Sequence, residues 1–383
     1  MNRPRELLVI AGEISGDMHA AGLIRALKQT DPSLRCYGIG GPLMRAEGVE
    51  TYYDVKDMAV MGIVEVLKRI LFFRRVFRRM EAVARERKPD AVLLVDYPGF
   101  NLRFAASAHA MGIKVIYYIC PQVWAWNRGR IPKMAAVVDR LMAIFPFEKE
   151  VFAGTGLAVD FVGHPLVTEI QETLKGPLTP LPWGGDPKIG MLPGSRHHEI
   201  DRLLPVFCTA AVLIENLFPN ASFIIPTPST EIREYVQRLT NTLPIRPGHL
   251  KIILGDARQV FRQSRAALVK SGTATMESAL VGCPTVIAYK VAPLTYQFAR
   301  RVVKIPYIGM VNIIANRQIC PELIQNHATG ETLAAALIPL LTDTPERLAM
   351  LAGFDEVRNL LGAGGADEHA ARVVSDELNR VKK

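Results

Sequence analysis

The sequence has few cysteines and no hydrophobic run that could cross a bilayer without interruption by charge. Five cysteines are present, Cys36, Cys120, Cys208, Cys283 and Cys320. They form neither a C-x-x-C pair nor a spaced Cys/His framework, which excludes a disulfide scaffold and a zinc module. The first residues lead straight into a strand-like run, without the apolar region and cleavage site of a signal peptide. We therefore expect a reduced, cytosolic protein.

Other signatures are missing as well. Low-complexity tracts and short repeats are absent, and no glycine turn follows the G-x-G-x-x-G pattern, which argues against a dehydrogenase.

The net charge of +9 suits lipids, nucleic acid or phosphorylated substrates. Because no motif of interleaved aromatic and basic residues is present, we expect no nucleic-acid partner. The adjacent His197 and His198 point apart on a helix and no acidic pair follows a diphosphate-type turn, so we expect no metal and no other cofactor.

What is present is a repeated order of apolar run, glycine turn and helix. At 383 residues, the chain is long enough for two domains. Buried parallel strands are predicted at 7–11, 91–95, 114–119, 140–145, 159–162, 188–192, 222–225, 251–254, 266–269 and 285–288. The fold class is therefore α/β, with two doubly wound Rossmann-like domains. Prolines and glycines concentrate at 173–186 and predict the boundary. We expect domains at 1–175 and 186–365, and a C-terminal helix at 366–383 that packs on the first domain or on a partner subunit.

One segment, residues 58–80, is both apolar and basic, and we call it the basic apolar segment. Charges interrupt it too often for a spanning helix, so it fits the surface of an anionic membrane. An amphipathic core helix with a solvated basic face gives a similar pattern and is the commoner case. The adjacent Leu71, Phe72 and Phe73 favour the membrane, because they spread apolar surface more widely than one core stripe needs.

Two turns in the second half predict phosphate binding. The segment 192–199, LPGSRHHE, and the segment 270–277, KSGTATME, each follow an apolar strand and open a helix. Backbone N–H groups and the positive helix end there can receive a diphosphate, Arg196 adds a cation, and Glu277 lies one turn further on for a ribose. Ordinary strand-to-helix turns and helix caps are the alternative for each turn alone. Two such turns in one half favour a nucleotide pocket.

In the first half, Asp96 directly follows the apolar run at 91–95, where a general base would stand. The alternative role for Asp96 is to cap the next helix or to form a salt bridge. Glu13 and Asp17, in the glycine turn at 12–17, are the rival acids. Trp124 and Asn127 are candidates for a sugar or lipid pocket, although tryptophans more often simply pack.

At this point the chain resembles a known family, the lipid-A-disaccharide synthases. The resemblance rests on motifs that run in family order from residue 8 to about 325. They are GEISGD at 12–17, GIGG at 38–41, MAVMG at 58–62, DYPGFN at 96–101, PQVWAW at 121–126, FVGHP at 161–165, LPGSR at 192–196, SGTAT at 271–275, and Asn312 with PELIQ at 321–325.

The resemblance implies an inverting glycosyltransferase of GT-B type on the cytosolic face of the bacterial inner membrane. It implies transfer of 2,3-diacylglucosamine from its UDP derivative to 2,3-diacylglucosamine 1-phosphate (lipid X), giving a β-1,6-linked disaccharide 1-phosphate and UDP. The implied catalytic residues are Asp96 as base, Glu13 as second choice for that role, and Arg196 at the leaving group.

The implied donor contacts are Gly194, Ser195, Arg196, Ser271, Gly272, Thr273, Thr275, Glu277, Asn312 and Gln325. The implied acceptor, acyl-chain or membrane contacts are Gly12, Ser15, Gly16, Asp17, Met58, Val60, Met61, Val66, Leu67, Arg69, Ile70, Leu71, Phe72, Phe73, Arg74, Trp124 and Asn127. The oligomeric state stays open, with a homodimer as one expectation.

Two alternatives remain. One is a related UDP-sugar enzyme of the same architecture, either a peptidoglycan-type N-acetylglucosaminyltransferase or a UDP-sugar epimerase. The other is a peripheral membrane protein that binds a nucleotide without chemistry. Activity on non-acylated donors would favour the first, and a binding-only role would leave Asp96 without a function.

Overall fold

The structure is a computed structural model that describes residues 4–58, 69–303 and 305–380. The chain divides into two units, the first formed by Met1–Pro165 with Gly364–Lys383 and the second by Leu166–Ala363. Each contains one sheet whose strands are all parallel. The predicted α/β class with two doubly wound sheets is confirmed.

The first unit is built on a seven-stranded sheet of order β3-β2-β1-β4-β5-β6-β7. Its elements are β1 (Glu6–Ala11), α1 (Ile14–Thr30), β2 (Arg35–Gly40), α2 (Pro42–Ala46), β3 (Glu50–Asp54), α3 (Val55–Met58), α4 (Ile70–Arg87), β4 (Ala91–Val95), α5 (Pro98–Ala110), β5 (Lys114–Tyr118), α6 (Val123–Trp126), α7 (Ile131–Ala135), β6 (Arg140–Ala143), α8 (Glu148–Val151) and β7 (Ala158–Phe161). The strand order reverses between β1 and β4, which is where ligands of open parallel sheets bind.

The second unit is built on a six-stranded sheet of order β10-β9-β8-β11-β12-β13. Its elements are α9 (Pro165–Lys175), β8 (Lys188–Leu192), α10 (His197–Leu217), β9 (Ser222–Thr227), α11 (Thr230–Thr242), β10 (Leu250–Leu254), α12 (Ala257–Gln263), β11 (Ala266–Lys270), α13 (Thr273–Val281), β12 (Thr285–Tyr289), α14 (Pro293–Val302), α15 (Met310–Ala315), β13 (Glu322–Ile324), α16 (Gly330–Leu337) and α17 (Pro345–Leu361). Here the order reverses between β8 and β11.

Continuous apolar sequence explains the central strands. Every residue of β4 is buried, as are the five apolar residues of β1, because helices cover both faces of a parallel sheet. The ten predicted strands are all present. Strands β2, β3 and β13 were not predicted, because glycines interrupt β2, β3 has the polar sequence ETYYD, and β13 is only three residues long.

Helix α4 includes residues 70–80 of the basic apolar segment. Val76, Met80, Val83 and Ala84 are buried at helical spacing, whereas Arg74, Arg75, Arg78, Arg79 and Arg85 are exposed. This part of the segment is therefore an amphipathic core helix, as the alternative interpretation expected. Leu71 is nevertheless 71% exposed, which a core stripe does not explain.

The division between the units falls at Pro165, whereas the sequence predicts a boundary at 173–186. Helix α9 and the turn after it are tied to α12 of the second unit. Arg258 Nη2 lies 2.5 Å from Glu169 Oε2, and Arg262 Nη2 donates to the Gly176 carbonyl at 2.9 Å. These polar contacts explain why the helix clusters with the second sheet.

The C-terminal helix α18 (Ala366–Asn379) belongs to the first unit and packs on α1 of the same chain. Lys114, at the start of β5, donates through Nζ to the carbonyls of Glu377 and Arg380, each at 2.6 Å. The sequence left open whether this helix packs on the first domain or on a partner subunit. In the structure it packs on the first domain.

Candidate active site

Asp96 lies at the carboxyl end of β4, next to the point where the strand order reverses. Asp96 and Tyr97 have φ values of 44° and 48°, a left-handed conformation that is uncommon for residues other than glycine. The Asp96 carbonyl accepts hydrogen bonds from Tyr117 Oη at 2.6 Å and Asn101 Nδ2 at 2.8 Å. Such strain persists where surrounding contacts hold it, and it clusters at functional sites.

The electrostatics of Asp96 suit a base that works near neutral pH. Burial raises the pKa of its carboxyl group, the negative charge of Glu13 raises it further, and a hydrogen bond from the Tyr97 backbone opposes both, with the result at about 6. Glu13 precedes α1, is exposed, and follows β1, the neighbouring strand. The two rival acids therefore lie close enough to interact, as adjacent strand ends predict.

Gly12 and Met58 help to fix the turn that carries Asp96. A Cβ on Gly12 would lie 2.2 Å from the ring of Tyr97, so only glycine lets the ring pack there. The hydroxyl of that ring donates to the Met58 carbonyl at 3.0 Å. The structure thus brings together four of the residues assigned to the first half, namely Gly12, Glu13, Met58 and Asp96.

Asp17 has a different environment from the other two acids. Its buried carboxylate accepts hydrogen bonds from the backbone N–H groups of Gly41, Leu43 and Met44 at 2.7 to 3.1 Å, at the start of α2. This is a helix N-cap made by a distant residue. Nearby, Gly16 packs on Ala11 and Ser15 is exposed.

Trp124 is packed in the interior of the first unit, and Asn127 is half-buried just after α6. The indole Nε1 of Trp124 donates to Glu148 Oε1 at 3.1 Å, and its ring meets Phe147 edge-on at 4.9 Å. Burial raises the pKa of Glu148 to about 7, although its hydrogen bonds lower it. These contacts match the packing alternative for Trp124.

The predicted membrane residues are placed only in part. Val60, Met61, Val66 and Leu67 lie outside the described residues. Ile70 and Leu71 are exposed, the rings of Phe72 and Phe73 are partly buried against the core, and Met58 is fully buried. Arg69 lies over the Phe72 ring at 4.7 Å, and Arg74 is exposed.

In the second unit, residues Gly194, Ser195 and Arg196 form the turn between β8 and α10. Gly194 has a φ of 121°, and a Cβ there would lie 2.5 Å from Glu199 Oε2. That carboxylate oxygen accepts the Ser195 N–H at 3.2 Å, while Oε1 pairs with Lys270 Nζ at 2.9 Å. Burial raises the pKa of Glu199, but Lys270, with help from the Ser195 amide and Arg196, outweighs burial and brings the pKa below its usual value.

A cavity of about 520 Å³ opens beside this turn. It is lined by Leu192, Gly194, Ser195, Arg196, Glu199, Pro226, Thr227, Pro228, Gly255, Asp256, Ala257, Lys270, Gly272, Thr273 and Ala274. The N-termini of α10 and α13 both border it, and neither helix has a side-chain cap. Two positive helix ends and the cations Arg196 and Lys270 make an environment for an anion such as a diphosphate.

Three predicted donor residues, none of which lines this cavity, form hydrogen bonds or ion pairs within the second unit. Ser271 Oγ donates to the Ile308 carbonyl at 2.8 Å, and Thr275 Oγ1 donates to the Gly272 carbonyl at 2.7 Å. Glu277 Oε1 pairs with Arg258 Nε at 3.0 Å. Thr273 remains exposed at the helix start.

The side-chain amides of Asn312 and Gln325 form hydrogen bonds with backbone groups. Asn312 is fully buried, donates to Glu322 Oε1 and to the Cys320 carbonyl, and accepts the N–H groups of Ile319 and Cys320. Gln325 exchanges two hydrogen bonds with the backbone of Val291. Both side chains thus fix backbone of the second unit, and their contact with the donor stays a prediction.

Comparison with known proteins identifies the family. The family model described as lipid-A-disaccharide synthetase matches residues 7–370. A lipid-A-disaccharide synthase of Trichlorobacter lovleyi is 40% identical over 381 residues, 98% of either chain, and one of Geobacter sulfurreducens is 39% identical over 384 residues, 99% of either chain. The chain belongs to the lipid-A-disaccharide synthase family. Its members are glycosyltransferases, so the predicted family and enzyme class are confirmed.

Solved structures of low identity share the fold of this lipid-A-disaccharide synthase family member. MurG of Acinetobacter baumannii has a TM-score of 0.57 at 16% identity, with 97% of this chain and 100% of that chain covered. A UDP-GlcNAc 2-epimerase of Neisseria meningitidis has a TM-score of 0.59 at 12% identity, with coverages of 97% and 98%. The calicheamicin glycosyltransferase CalG4 has a TM-score of 0.60 at 15% identity and covers each chain fully. The predicted GT-B fold is confirmed.

Lys270 and Glu199 are the functional candidates that the sequence analysis of this synthase family member missed. Both belong to the two quoted turns, but neither was assigned a role. The feature that could have identified Lys270 is its position as the last residue of β11. This strand pairs with β8, where the strand order reverses. Asp256, which caps α12 by accepting the Gln259 N–H at 3.1 Å, carried no such signal.

The described residues of this lipid-A-disaccharide synthase homologue hold neither a metal-binding cluster nor a membrane-spanning helix. Among residues 4–58, 69–303 and 305–380, no group of three His, Cys, Asp or Glu side chains could hold a metal ion. Within the same part of the chain, no helix has the length and apolar character needed to cross a membrane.

Proposed function

We propose that this chain transfers 2,3-diacylglucosamine from UDP-2,3-diacylglucosamine to the 6-hydroxyl of 2,3-diacylglucosamine 1-phosphate, with inversion. The acceptor oxygen forms a bond to the donor C1 while the bond from C1 to the diphosphate oxygen breaks. The products are a β-1,6-linked disaccharide 1-phosphate and UDP. Family membership over residues 7–370 supports the reaction class.

The observation that carries the mechanism is the strained, half-buried Asp96 beside Glu13. A carboxylate with a pKa of about 6 is ionised at neutral pH, yet basic enough to take the hydroxyl proton as the new bond forms. Glu13 contributes by raising that basicity. We propose Asp96 as the base and Glu13 as the residue that tunes it.

We propose that residues 186–365 bind the UDP donor and residues 1–175 the acceptor and the membrane. The cavity beside Gly194 would hold the diphosphate through backbone N–H groups, Arg196 and Lys270. These groups would also stabilise the negative charge on departing UDP. Because positive charge is supplied there by the protein, we expect turnover in the presence of a chelator.

The basic apolar segment is our candidate for attachment to the cytosolic face of the inner membrane. Ile70 and Leu71 are 41% and 71% exposed, and Arg74 and Arg75 beside them are exposed as well. Exposed apolar side chains among cations favour the interface of an anionic bilayer. A homodimer remains a proposal that light scattering of the purified protein would test.

The deciding experiment is thin-layer detection of product from purified protein, UDP-2,3-diacylglucosamine and the 1-phosphate acceptor, in detergent with chelator. We expect disaccharide 1-phosphate in that mixture and none when UDP-N-acetylglucosamine replaces the acylated donor. Product from the non-acylated donor would favour the peptidoglycan-type alternative. UDP binding without any product would contradict the proposed reaction.

A further inference from the structure

Helix α14 exposes two large apolar side chains to solvent. Leu294 is 85% exposed and Phe298 is 68% exposed, the largest values among the exposed large hydrophobic residues of the second unit. No residue of this helix is buried. Leaving an apolar pair of this size in water is unfavourable, and such surfaces mark interaction sites.

The spacing of the exposed residues defines one face. Leu294, Phe298 and Arg301 follow each other at intervals of four and three residues, which places them on the same side of the helix. Tyr296 and Ala299, on the other side, are half-buried. The helix therefore rests on the second unit by one side and presents leucine, phenylalanine and arginine outward.

Along the sequence, the charges on both sides of this helix have one sign. Between Glu277 and Glu322 the sequence contains no acidic residue. The cations in that stretch are Lys290, Arg300, Arg301, Lys304 and Arg317. An apolar protein partner would not require this bias, whereas an anionic bilayer surface attracts it.

The position of α14 relates it to the diphosphate cavity of the same unit. The helix follows β12, whose carboxyl end lies beside that of β11. Tyr289, the last residue of β12, has its ring 5.9 Å from Lys270 Nζ, and Lys270 lines the cavity. Helix α14 and the cavity thus lie at the same edge of the second sheet.

We propose that α14 is a second membrane-contact element, which inserts Leu294 and Phe298 into the interface of an anionic bilayer while Arg300 and Arg301 face the phosphate groups. Helix α14 belongs to the second unit, whereas the basic apolar segment belongs to the first. It keeps the edge of the nucleotide cavity at the lipid surface, where a donor that carries acyl chains resides. That last consequence rests on the proposed function, whereas the membrane contact itself does not.

A fluorescent label at position 298 tests the contact directly. All five native cysteines are buried, so Phe298→Cys gives one accessible thiol for an environment-sensitive dye. Leu348→Cys, at a site 61% exposed on α17, is the matched control. With vesicles of equal phosphatidylglycerol and phosphatidylcholine, we expect the emission at 298 to shift to the blue and rise at least twofold. We expect no change at 348, and none at 298 with pure phosphatidylcholine.

Vesicle flotation of serine variants gives an independent measure. Leu294→Ser with Phe298→Ser should lower the partition coefficient for the anionic vesicles about tenfold. Leu217→Ser with Leu348→Ser removes two leucines that are 63% and 61% exposed elsewhere on the second unit, and it should leave partitioning unchanged. Equal thermal unfolding temperatures would show that both variants fold.

Three results would overturn the proposal. One is an unchanged emission of the label at position 298 although the protein binds the vesicles in the flotation assay. Another is a label that responds to unlabelled protein without lipid, which would make a second copy of the chain the occupant. The third is failure of the full chain to bind anionic vesicles at all. None of these would affect product formation in detergent, so the proposed reaction is tested separately.

Discussion

The two sheets use the same kind of position for opposite electrostatic purposes. Asp96 and Glu199 both follow the strands at which strand order reverses in their sheets, and burial raises the pKa of each. Glu13 adds to that effect at Asp96, whereas Lys270 outweighs it at Glu199. The sign of the neighbouring charge therefore sets the direction of each pKa shift, which fits the base that we propose at Asp96 and an ionised carboxylate at Glu199.

The backbone differs in the same way. At Asp96 two residues other than glycine are held in a left-handed conformation, whereas at the second site Gly194 supplies the unusual φ without a side chain. Surrounding contacts hold the Asp96 side chain in one orientation, whereas the turn at Gly194 leaves backbone N–H groups open to a ligand. This difference in backbone fits the base that we propose in the first unit and the diphosphate-binding turn that we propose in the second.

The strongest test of this comparison is Asp96→Asn. Loss of the basic carboxylate should lower kcat at least about 100-fold, because general base catalysis contributes that much or more. UDP affinity, measured by calorimetry, should stay the same since the binding loop is in the other unit. Unchanged turnover would exclude Asp96 as the base and make Glu13 the candidate.

Gly194→Ala tests the glycine turn. A methyl group would meet Glu199 and the backbone would be strained at a φ of 121°, so we expect a loss of about 1–3 kcal/mol in the free energy of unfolding. Gly99→Ala, where a Cβ meets nothing within 4 Å, is the matched control and should be neutral. Equal melting temperatures of the two variants would contradict the role of the turn.

Lys270→Met removes the cation that pairs with Glu199 and faces the cavity. We expect UDP to bind about tenfold more weakly, because a hydrogen bond to a charged group is worth roughly 1.5–3 kcal/mol. Lys251→Met, an exposed lysine on β10, should bind UDP as the unmodified protein does. If both variants bind UDP equally well, Lys270 does not contact the nucleotide.

The smallest effect is expected from Glu13→Gln. Asp96 must be ionised to accept a proton, so its raised pKa means that kcat/KM falls as the pH drops through about 6. Removing the Glu13 charge lowers that pKa, and the acidic limb of the pH profile should move to lower pH. A limb that stays in place while turnover collapses would instead assign proton transfer to Glu13.

The central strands and the family could be predicted from the sequence, because buried parallel strands are continuous apolar runs and the motifs occur in order. Edge strands such as β3 could not, since half-buried polar residues give no apolar signal. The position of Asp96 at a strand end was also visible in the sequence. Its strain and its interaction with Glu13 required two strands that are about 80 residues apart in the chain to lie side by side.

The motifs alone indicate the kind of chemistry, with acids after strands in one half and phosphate-type turns in the other. Folding then settles which of these polar groups bond to the chain itself. Asp17 caps α2 and Asn312 holds the loop before β13, although both occur in motifs that suggested substrate contact. The reason is physical: a buried polar group must find a partner, and only the folded chain shows whether that partner is its own backbone.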